Sequence, residues 1–329
     1  MKKYMIAPVL LAFVFLISCD DNLSPKAPFE KEYVMFGYIN ADTTFQTVYL
    51  SHSYEVEGYD PMANKVDPVL QGADVKLTVN RKKVYNFTPA TAARTDTSRY
   101  DTPVSYYQLN TYKPADGDSV HIEASLPDGK KLSSDVVVPP VSYLYYETST
   151  VNYSPSNNDG TGVKGIKFGW RFLNVEFNER SNYFYPRLDI VYAKADNPGN
   201  KIRVKVPLYF LNNGAVPIPK YPNVSNATSV VFYGDSIEQI LNSISAGDPV
   251  KSNYIIDYAE FTLLLMDRNM ASYLGSENTF SDEFSIRIDA ADFTNVNGGL
   301  GMFGAAATKR NRVKIDKFYI QSFGYRTTY

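Results

Sequence analysis

The chain has 329 residues with nearly balanced charge, 33 lysines and arginines against 35 aspartates and glutamates, and 44% of its residues are hydrophobic. This composition is typical of a globular protein, and the lack of a basic excess argues against nucleic acid as a partner. One cysteine and two histidines exclude a disulfide framework and leave too few ligands for a structural zinc site.

The first residues have the pattern of a secretory signal. Two lysines precede an apolar run of about thirteen residues from Met5 to Ile17, which is shorter than the roughly 20 residues of a membrane-spanning helix. Leu16-Ile17-Ser18-Cys19 resembles the lipobox of bacterial lipoproteins, whose cysteine becomes the lipidated N-terminus. We therefore predict a signal peptide over residues 1–18 and a palmitate-type acyl anchor at Cys19, which would tether the chain to the outer membrane.

Residues 19–30 form a polar segment rich in acidic residues, proline and serine. Such a composition favours a flexible spacer between the anchor and the folded part. Asp20 and Asp21, directly after the cysteine, resemble the surface-export signal of Bacteroidota lipoproteins. That resemblance implies a location at the cell surface.

Short β-type segments recur from residue 32 to residue 138, separated by turn signals at residues 115–118 and 127–129. Val75, Leu77 and Val79 alternate with polar residues, which is the pattern of a half-buried strand. Seven such segments predict an immunoglobulin-like β-sandwich domain over residues 31–140. We place the domain boundary at Pro139-Pro140.

Residues 141–329 are also rich in strand patterns and predict a second β-rich domain with one or two short inserted helices. In residues 234–247 the spacing of the isoleucines and Leu241 predicts a helix, capped by Asp235 or Ser236 and stopped at Gly247. A shorter helix is predicted from Asp267 to Leu274, ended by Gly275. The predicted fold class is mainly β, and residues 307–325 are interpreted as a closing strand.

Gly299, Gly301 and Gly304 have the G-x-G-x-x-G spacing of dinucleotide-binding loops. That motif requires a buried strand before it and a helix after it. The preceding residues are polar, and only 25 residues follow Gly304. We interpret the stretch as a glycine-rich turn or bulge where two backbones approach closely, and no cofactor is predicted.

Several short motifs together resemble the domain-of-unknown-function 4249 family of Bacteroidota lipoproteins. They are the lipobox, the Asn182-Tyr183-Phe184-Tyr185 segment, the Leu126-Pro-Asp-Gly129 turn that leads into Ser133-Ser134 and Pro139, and the stretch from Gly298 to Gly304. The resemblance covers most of the mature chain. It implies an accessory lipoprotein associated with TonB-dependent outer-membrane receptors, and it supplies no catalytic residues.

Few residues point to catalysis. His52 and His121 fall on predicted strands, where neighbouring side chains point to opposite faces, so Ser51 and His52 do not form a nucleophile–base pair by adjacency. Both histidines are interpreted as surface strand residues. A glycoside hydrolase could use the carboxylates of Asp282, Glu283, Asp289 and Asp292. We interpret these four residues as solvated turn residues.

Two loops rich in asparagine, aspartate and glycine, at residues 156–162 and 195–200, lack the spacing of a calcium loop. Ordinary turns explain them, although calcium binding stays open. The basic run at residues 309–312 is interpreted as a solvated strand edge or turn.

Aromatic residues make up 14% of the chain. Phe168, Trp170 and Phe172 alternate strictly and are assigned to the core. Adjacent tyrosines on a strand face opposite sides, so one of each pair is available for recognition. The candidate recognition residues are Tyr106, Tyr107, Tyr145 and Tyr146.

The leading hypothesis is a non-enzymatic outer-membrane lipoprotein that acts as a binding or accessory protein in TonB-dependent nutrient uptake, with a TonB-dependent receptor as its partner. The alternative is a structural or adhesive subunit of pilus type, built by donor-strand pairing. A hydrolase using the four carboxylates comes third.

Overall fold

The computed structural model describes residues 28–56, 60–147, 152–153, 164–173, 182–211, 216–276 and 293–329. Within them the protein is mainly β, with several sheets and three α-helices, as the sequence predicts.

Ten of the described strands precede residue 160. They are β1 (Tyr33–Asn40), β2 (Gln46–His52), β3 (Asp74–Val79), β4 (Lys83–Asn86), β5 (Thr88–Ala92), β6 (Val104–Leu109), β7 (Ser119–Ser125), β8 (Lys131–Val137), β9 (Leu144–Tyr146) and β10 (Asn152–Tyr153).

The later strands and the helices follow in order. They are β11 (Gly165–Phe172), β12 (Tyr183–Lys194), β13 (Asn197–Val206), β14 (Tyr209–Leu211), β15 (Ile218–Lys220), β16 (Ser229–Tyr233), α1 (Gly234–Ile244), β17 (Tyr254–Met266), α2 (Arg268–Ser276), β18 (Leu300–Ile315), α3 (Lys317–Ser322) and β19 (Arg326–Thr327).

A ten-stranded sheet contains strands from both ends of the chain. Its order is β13-β12-β17-β18-β1-β2-β6-β5, and in addition β10 pairs with β18 and β19 pairs with β17. β1 and β18 run parallel, in register from Val34 opposite Leu300 to Asn40 opposite Ala306. Strands from both sides of residue 140 therefore share hydrogen bonds in one sheet, and the domain boundary at that residue stays a prediction.

Two hydrophobic cores lie against one face of this sheet, which we call the inner face. In the first core β1, β2 and β6 face a four-stranded sheet of order β4-β3-β7-β8, and Met35, Leu50 and Ile122 are fully buried between them. In the second core β12, β17 and β18 face the sheet β16-β11-β9 together with α1 and α3. The rings of Phe168 and Phe261 stack there with centroids 4.0 Å apart.

Trp170 and Phe172, like Phe168, are buried in the second core, so their assignment from strict alternation is confirmed. The reason is the period of two in a strand, which sends every second side chain to the same face.

Strand β18 contributes to both cores. Phe303 and Ala305 lie in the first core, whereas Val313 and Ile315 lie in the second. All four are odd-numbered, so the same side of one 16-residue strand faces both cores, with Lys309 and Asn311 between the two apolar groups. Its even-numbered residues reach the opposite face of the sheet.

The glycine stretch opens β18 and does not connect a strand to a helix. A side chain at Gly301, whose φ is +114°, would place its Cβ 2.1 Å from the carbonyl oxygen of Met35. At Gly299 the Cβ would lie 2.4 Å from the carbonyl oxygen of Tyr33. The predicted close backbone approach is confirmed, and the strand–turn–helix geometry of a dinucleotide loop is not formed here.

Two predicted helices are confirmed with corrected ends. α1 begins at Gly234 after the N-cap residue Tyr233, so neither Asp235 nor Ser236 is the cap. α2 continues through Gly275 to Ser276.

The prediction of a closing strand over residues 307–325 is partly wrong. β18 ends at Ile315, and α3 follows because Asp316 caps it by accepting a hydrogen bond from the backbone nitrogen of Tyr319 at 2.8 Å. Phe318, which the strand pattern places with the apolar residues, is 78% exposed. Tyr319, Ile320 and Phe323 pack instead, at helical spacing.

Candidate recognition surface

The outer face of the large sheet, opposite the two cores, divides into an apolar part and a charged part. Helix α2 covers the apolar part, where Met270 packs with Ala306 and Tyr273 with Met302. The charged part lies on β13, β12, β17 and β18, and we call it the arginine face. Its members are Arg187, Asp189, Arg203, Lys205, Glu260, Thr262, Arg310 and Arg312.

Strand alternation places these side chains on one face. The side chains form two rows that run across the strands. In the first row Arg187 lies opposite Thr262, which lies opposite Arg310. In the second row Asp189 lies opposite Glu260, which lies opposite Arg312. Directly opposed side chains have Cβ atoms about 5 Å apart, so each row is a set of direct neighbours.

The two carboxylates of the second row are buried beneath the arginines. Glu260 is 3% exposed, and its Oε1 atom lies 2.5 Å from Nη1 of Arg203 while Oε2 lies 3.4 Å from Nε of Arg312. Burial acts to raise the pKa of Glu260, but the two guanidinium groups outweigh it and hold the pKa below its usual value. Glu260 is therefore charged at neutral pH.

Asp189 behaves differently. Its Oδ2 atom lies 2.9 Å from Nε of Arg187 and 3.9 Å from Nη1 of Arg203. Burial is the largest influence and raises the pKa of this carboxyl, although the two arginines act to lower it. The environment of Asp189 thus disfavours the ionised form of its carboxyl group. An additional cation nearby would stabilise that ionised form, and an additional anion would destabilise it further.

Tyrosine rings support several of the cations. The guanidinium carbon of Arg312 lies 4.6 Å from the ring centre of Tyr258, and Nζ of Lys205 lies 4.5 Å from that of Tyr221. Cations over aromatic faces are attracted by the ring quadrupole and held in place. The surface combines positive charge with flat aromatic area, which is typical of recognition sites.

The tyrosine candidates lie on strands of different sheets. Tyr107 is 3% exposed, and its hydroxyl donates to the carbonyl of Leu70 at 3.1 Å, so it serves the first core. Tyr106, on the opposite side of β6, lines a groove of about 370 Å³ beside the edge strand β5.

On β9, Tyr145 is exposed and Nζ of Lys309 lies 5.3 Å from its ring centre. Tyr146 is half-buried and its hydroxyl donates to the carbonyl of Lys309 at 2.8 Å. One tyrosine of each pair is therefore more accessible than the other, and the role of these four residues in recognition stays a prediction.

The histidines are strand residues, as interpreted. Nδ1 of His52 lies 2.8 Å from the carbonyl oxygen of Ser53, and Nδ1 of His121 lies 2.9 Å from Oδ1 of Asp135 on the neighbouring strand. Neither contact joins a base to a nucleophile. In the part of the chain that the structure describes, His, Cys, Asp and Glu side chains form no group of three or more suited to a metal ion.

Several sequence predictions fall on other residues. Cys19 with the signal peptide, the loop at residues 156–162, and the carboxylates from Asp282 to Asp292 lie outside the described residues. In the loop at residues 195–200 the turn itself is Ala195-Asp196, and strand β13 begins at Asn197. Among the helices described, none is long and apolar enough to cross a membrane.

Sequence reasoning missed the arginine face. The basic run at residues 309–312 lies inside β18, not in a turn, and its arginines share a face with Arg187 and Arg203 from distant parts of the chain. The available signal was the alternation of charged residues within long apolar strands, such as Arg187 and Asp189 in β12. Only the register of the strands brings them together.

Fold and surface define a mainly β protein whose central sheet carries a charged, tyrosine-bearing outer face. A family model, Domain of unknown function (DUF4249), matches residues 20–312. The chain belongs to this family, which confirms the resemblance in the sequence motifs. A comparison with curated proteins finds no match.

Proposed function

We propose that this chain is a non-enzymatic lipoprotein of the outer membrane, anchored through Cys19 at the cell surface, that binds a ligand for a TonB-dependent receptor. The lipobox and the acidic residues that follow it support the location. The family resemblance in the sequence supports the partner.

The observation that carries the binding role is the arginine face. Its carboxylates are occupied by arginines, whereas the side chains of Arg203 and Arg312 remain 44% and 68% exposed. Groups held in ion pairs on a rigid sheet suit recognition, because their positions are set before a ligand arrives. We also propose that the first core, in which β1, β2 and β6 face a four-stranded sheet, is an immunoglobulin-like sandwich.

Affinity copurification from detergent extracts of the cell envelope tests this function. We expect the tagged full-length chain to recover a TonB-dependent receptor, and a Cys19→Ala variant, which lacks the anchor, to recover much less. Equal recovery with that variant would contradict the anchoring, and recovery of no envelope partner at all would contradict the accessory role.

The alternative, a pilus-type subunit, is favoured by the edge of β8. Ser133 directs its backbone groups away from β7, towards Asn297, so alternation directs those of Asp135 and Val137 outwards as well. A groove of about 460 Å³ runs along this edge and is also lined by Arg268 and Asn269, and Nδ2 of Asn269 donates to the carbonyl of Asp135 at 3.3 Å. Donor-strand pairing there predicts polymers on gels and proteolytic removal of an N-terminal segment. A monomeric chain that still begins at lipidated Cys19 would exclude it.

A further inference from the structure

We propose that the arginine face contains a binding site for a carboxylate group, centred on Arg310 and Thr262. This inference rests on the proposed function, because it names the chemical class of ligand that the surface would take. Carboxylates occur on acidic sugars and on acidic peptides, and the experiment below separates these two sources.

Thr262 supplies a hydrogen-bond donor. The residue is 7% exposed, and its Oγ1 atom is fully buried with no hydrogen-bond partner among the described residues. A buried hydroxyl without a partner destabilises a fold by about 1–3 kcal/mol. The Thr262 hydroxyl therefore lowers the stability of the free protein. A ligand oxygen placed between Arg187 and Arg310, its neighbours in the first row, would accept its hydrogen bond.

Arg310 supplies the charge. It lies directly opposite Thr262 on β18, it is exposed, and within the described ranges its guanidinium makes no ion pair or hydrogen bond. Arg203 and Arg312, in contrast, are already paired with Glu260. A guanidinium group matches the two oxygens of a carboxylate and binds them through two parallel hydrogen bonds. Among the described residues, Arg310 is thus a cation of this face that is available to a ligand.

The surroundings favour a singly charged anion over a doubly charged one. Glu260 lies two residues from Thr262 along β17, about 7 Å away, and its negative charge is retained by its arginine partners. Asp189 already has an environment that disfavours negative charge. Repulsion from these groups grows with the charge of the ligand, so a phosphate dianion is opposed more strongly than a carboxylate.

Isothermal titration calorimetry on the full-length chain in detergent tests the proposal with three probes: galacturonate, its neutral counterpart galactose, and an acetylated, amidated peptide that contains a single glutamate. Each acidic probe carries one negative charge. We expect at least one acidic probe to bind and galactose not to bind. Binding of the sugar acid alone identifies an acidic saccharide as the source, and binding of the peptide alone identifies an acidic protein segment. Binding of neither acidic probe would overturn the inference, as would tighter binding of inorganic phosphate.

Three variants locate the site. Arg310→Gln should weaken binding of the acidic probe about ten- to hundred-fold, the range for loss of hydrogen bonds to a charged group. Arg171→Gln, which changes an exposed arginine on β11, is the matched control and should bind as the unmodified chain does. Unchanged affinity in Arg310→Gln would overturn the assignment.

Thr262→Val gives a readout that a purely structural role would not produce. It should weaken binding several-fold while leaving resistance to urea equal or higher, because the hydroxyl has no partner to lose among the described residues. Lower resistance with unchanged binding would contradict the role of Thr262. Recovery of a receptor in copurification by a chain that binds no carboxylate would leave the proposed function standing while this inference fails.

Discussion

Replacing Gly301 with alanine tests the close contact between the parallel strands β1 and β18. The added Cβ would lie 2.1 Å from the carbonyl oxygen of Met35, whereas ordinary contact begins near 3.4 Å. Because the obstacle is backbone, the strands must separate by about 1 Å, and their seven paired positions prevent this. A strained positive φ costs about 1–3 kcal/mol and overpacking a further 1–3 kcal/mol. We expect the free energy of unfolding to fall by about 4 kcal/mol.

Gly117→Ala is the matched control. Gly117 also has a positive φ, of +80°, but a Cβ there meets nothing within 4 Å. Only the backbone term remains, so we expect a loss of about 1 kcal/mol.

Urea unfolding is followed by the fluorescence of Trp170, the single tryptophan, which is buried in the second core. With a slope of about 3 kcal/mol per molar urea, Gly301→Ala should lower the midpoint by about 1.3 M and Gly117→Ala by about 0.3 M. Similar shifts in the two variants would refute the close approach. A change in circular dichroism without a change at Trp170 would show that the two cores unfold separately, as a domain boundary at residue 140 predicts.

Four further predictions concern charge and packing. Glu260 has a lowered pKa when folded, so its stabilising contribution is present at neutral pH and lost on acidification; Glu260→Gln should flatten the loss of stability measured below about pH 4.5. Asp189 has a raised pKa, so Asp189→Asn should increase the urea midpoint at pH 7 and give no increase in acid. Phe261→Ala should cost about 3–5 kcal/mol in urea unfolding. Asp267→Ala removes an oxygen that accepts hydrogen bonds from two backbone nitrogens, both at 3.0 Å. It should lower the free energy of unfolding more than Asp316→Ala, which removes a helix cap and is expected to cost about 1 kcal/mol. Equal losses in the two variants would contradict the role of Asp267 in both hydrogen bonds.

Strands with a clear period of two were predictable from the sequence. β3, with Val75, Leu77 and Val79 buried, and β7 both lie where the alternation places them. Two of the strands that were missed, β5 and β15, are short and contain Pro89 and Pro219. Proline removes a backbone donor and is tolerated mainly at sheet edges, so it conceals such strands from pattern reading.

Long-range pairing was not predictable, and it creates the surface. Local pattern places Arg187 and Arg310 on strands, but their position in one row depends on β17 lying between β12 and β18. Register is set by burial of the opposite face, which involves residues from the whole chain. The same limit explains α3, where the cap at Asp316 and packing of Ile320 override an alternating pattern.

Mass spectrometry of the mature N-terminus, on protein isolated from outer membranes, tests the account most directly, since anchoring at Cys19 underlies both the location and the partner. We predict a chain that begins at Cys19 and carries acyl groups. A chain that retains residues 1–18, or one that begins at an unmodified Cys19, would contradict the proposed function.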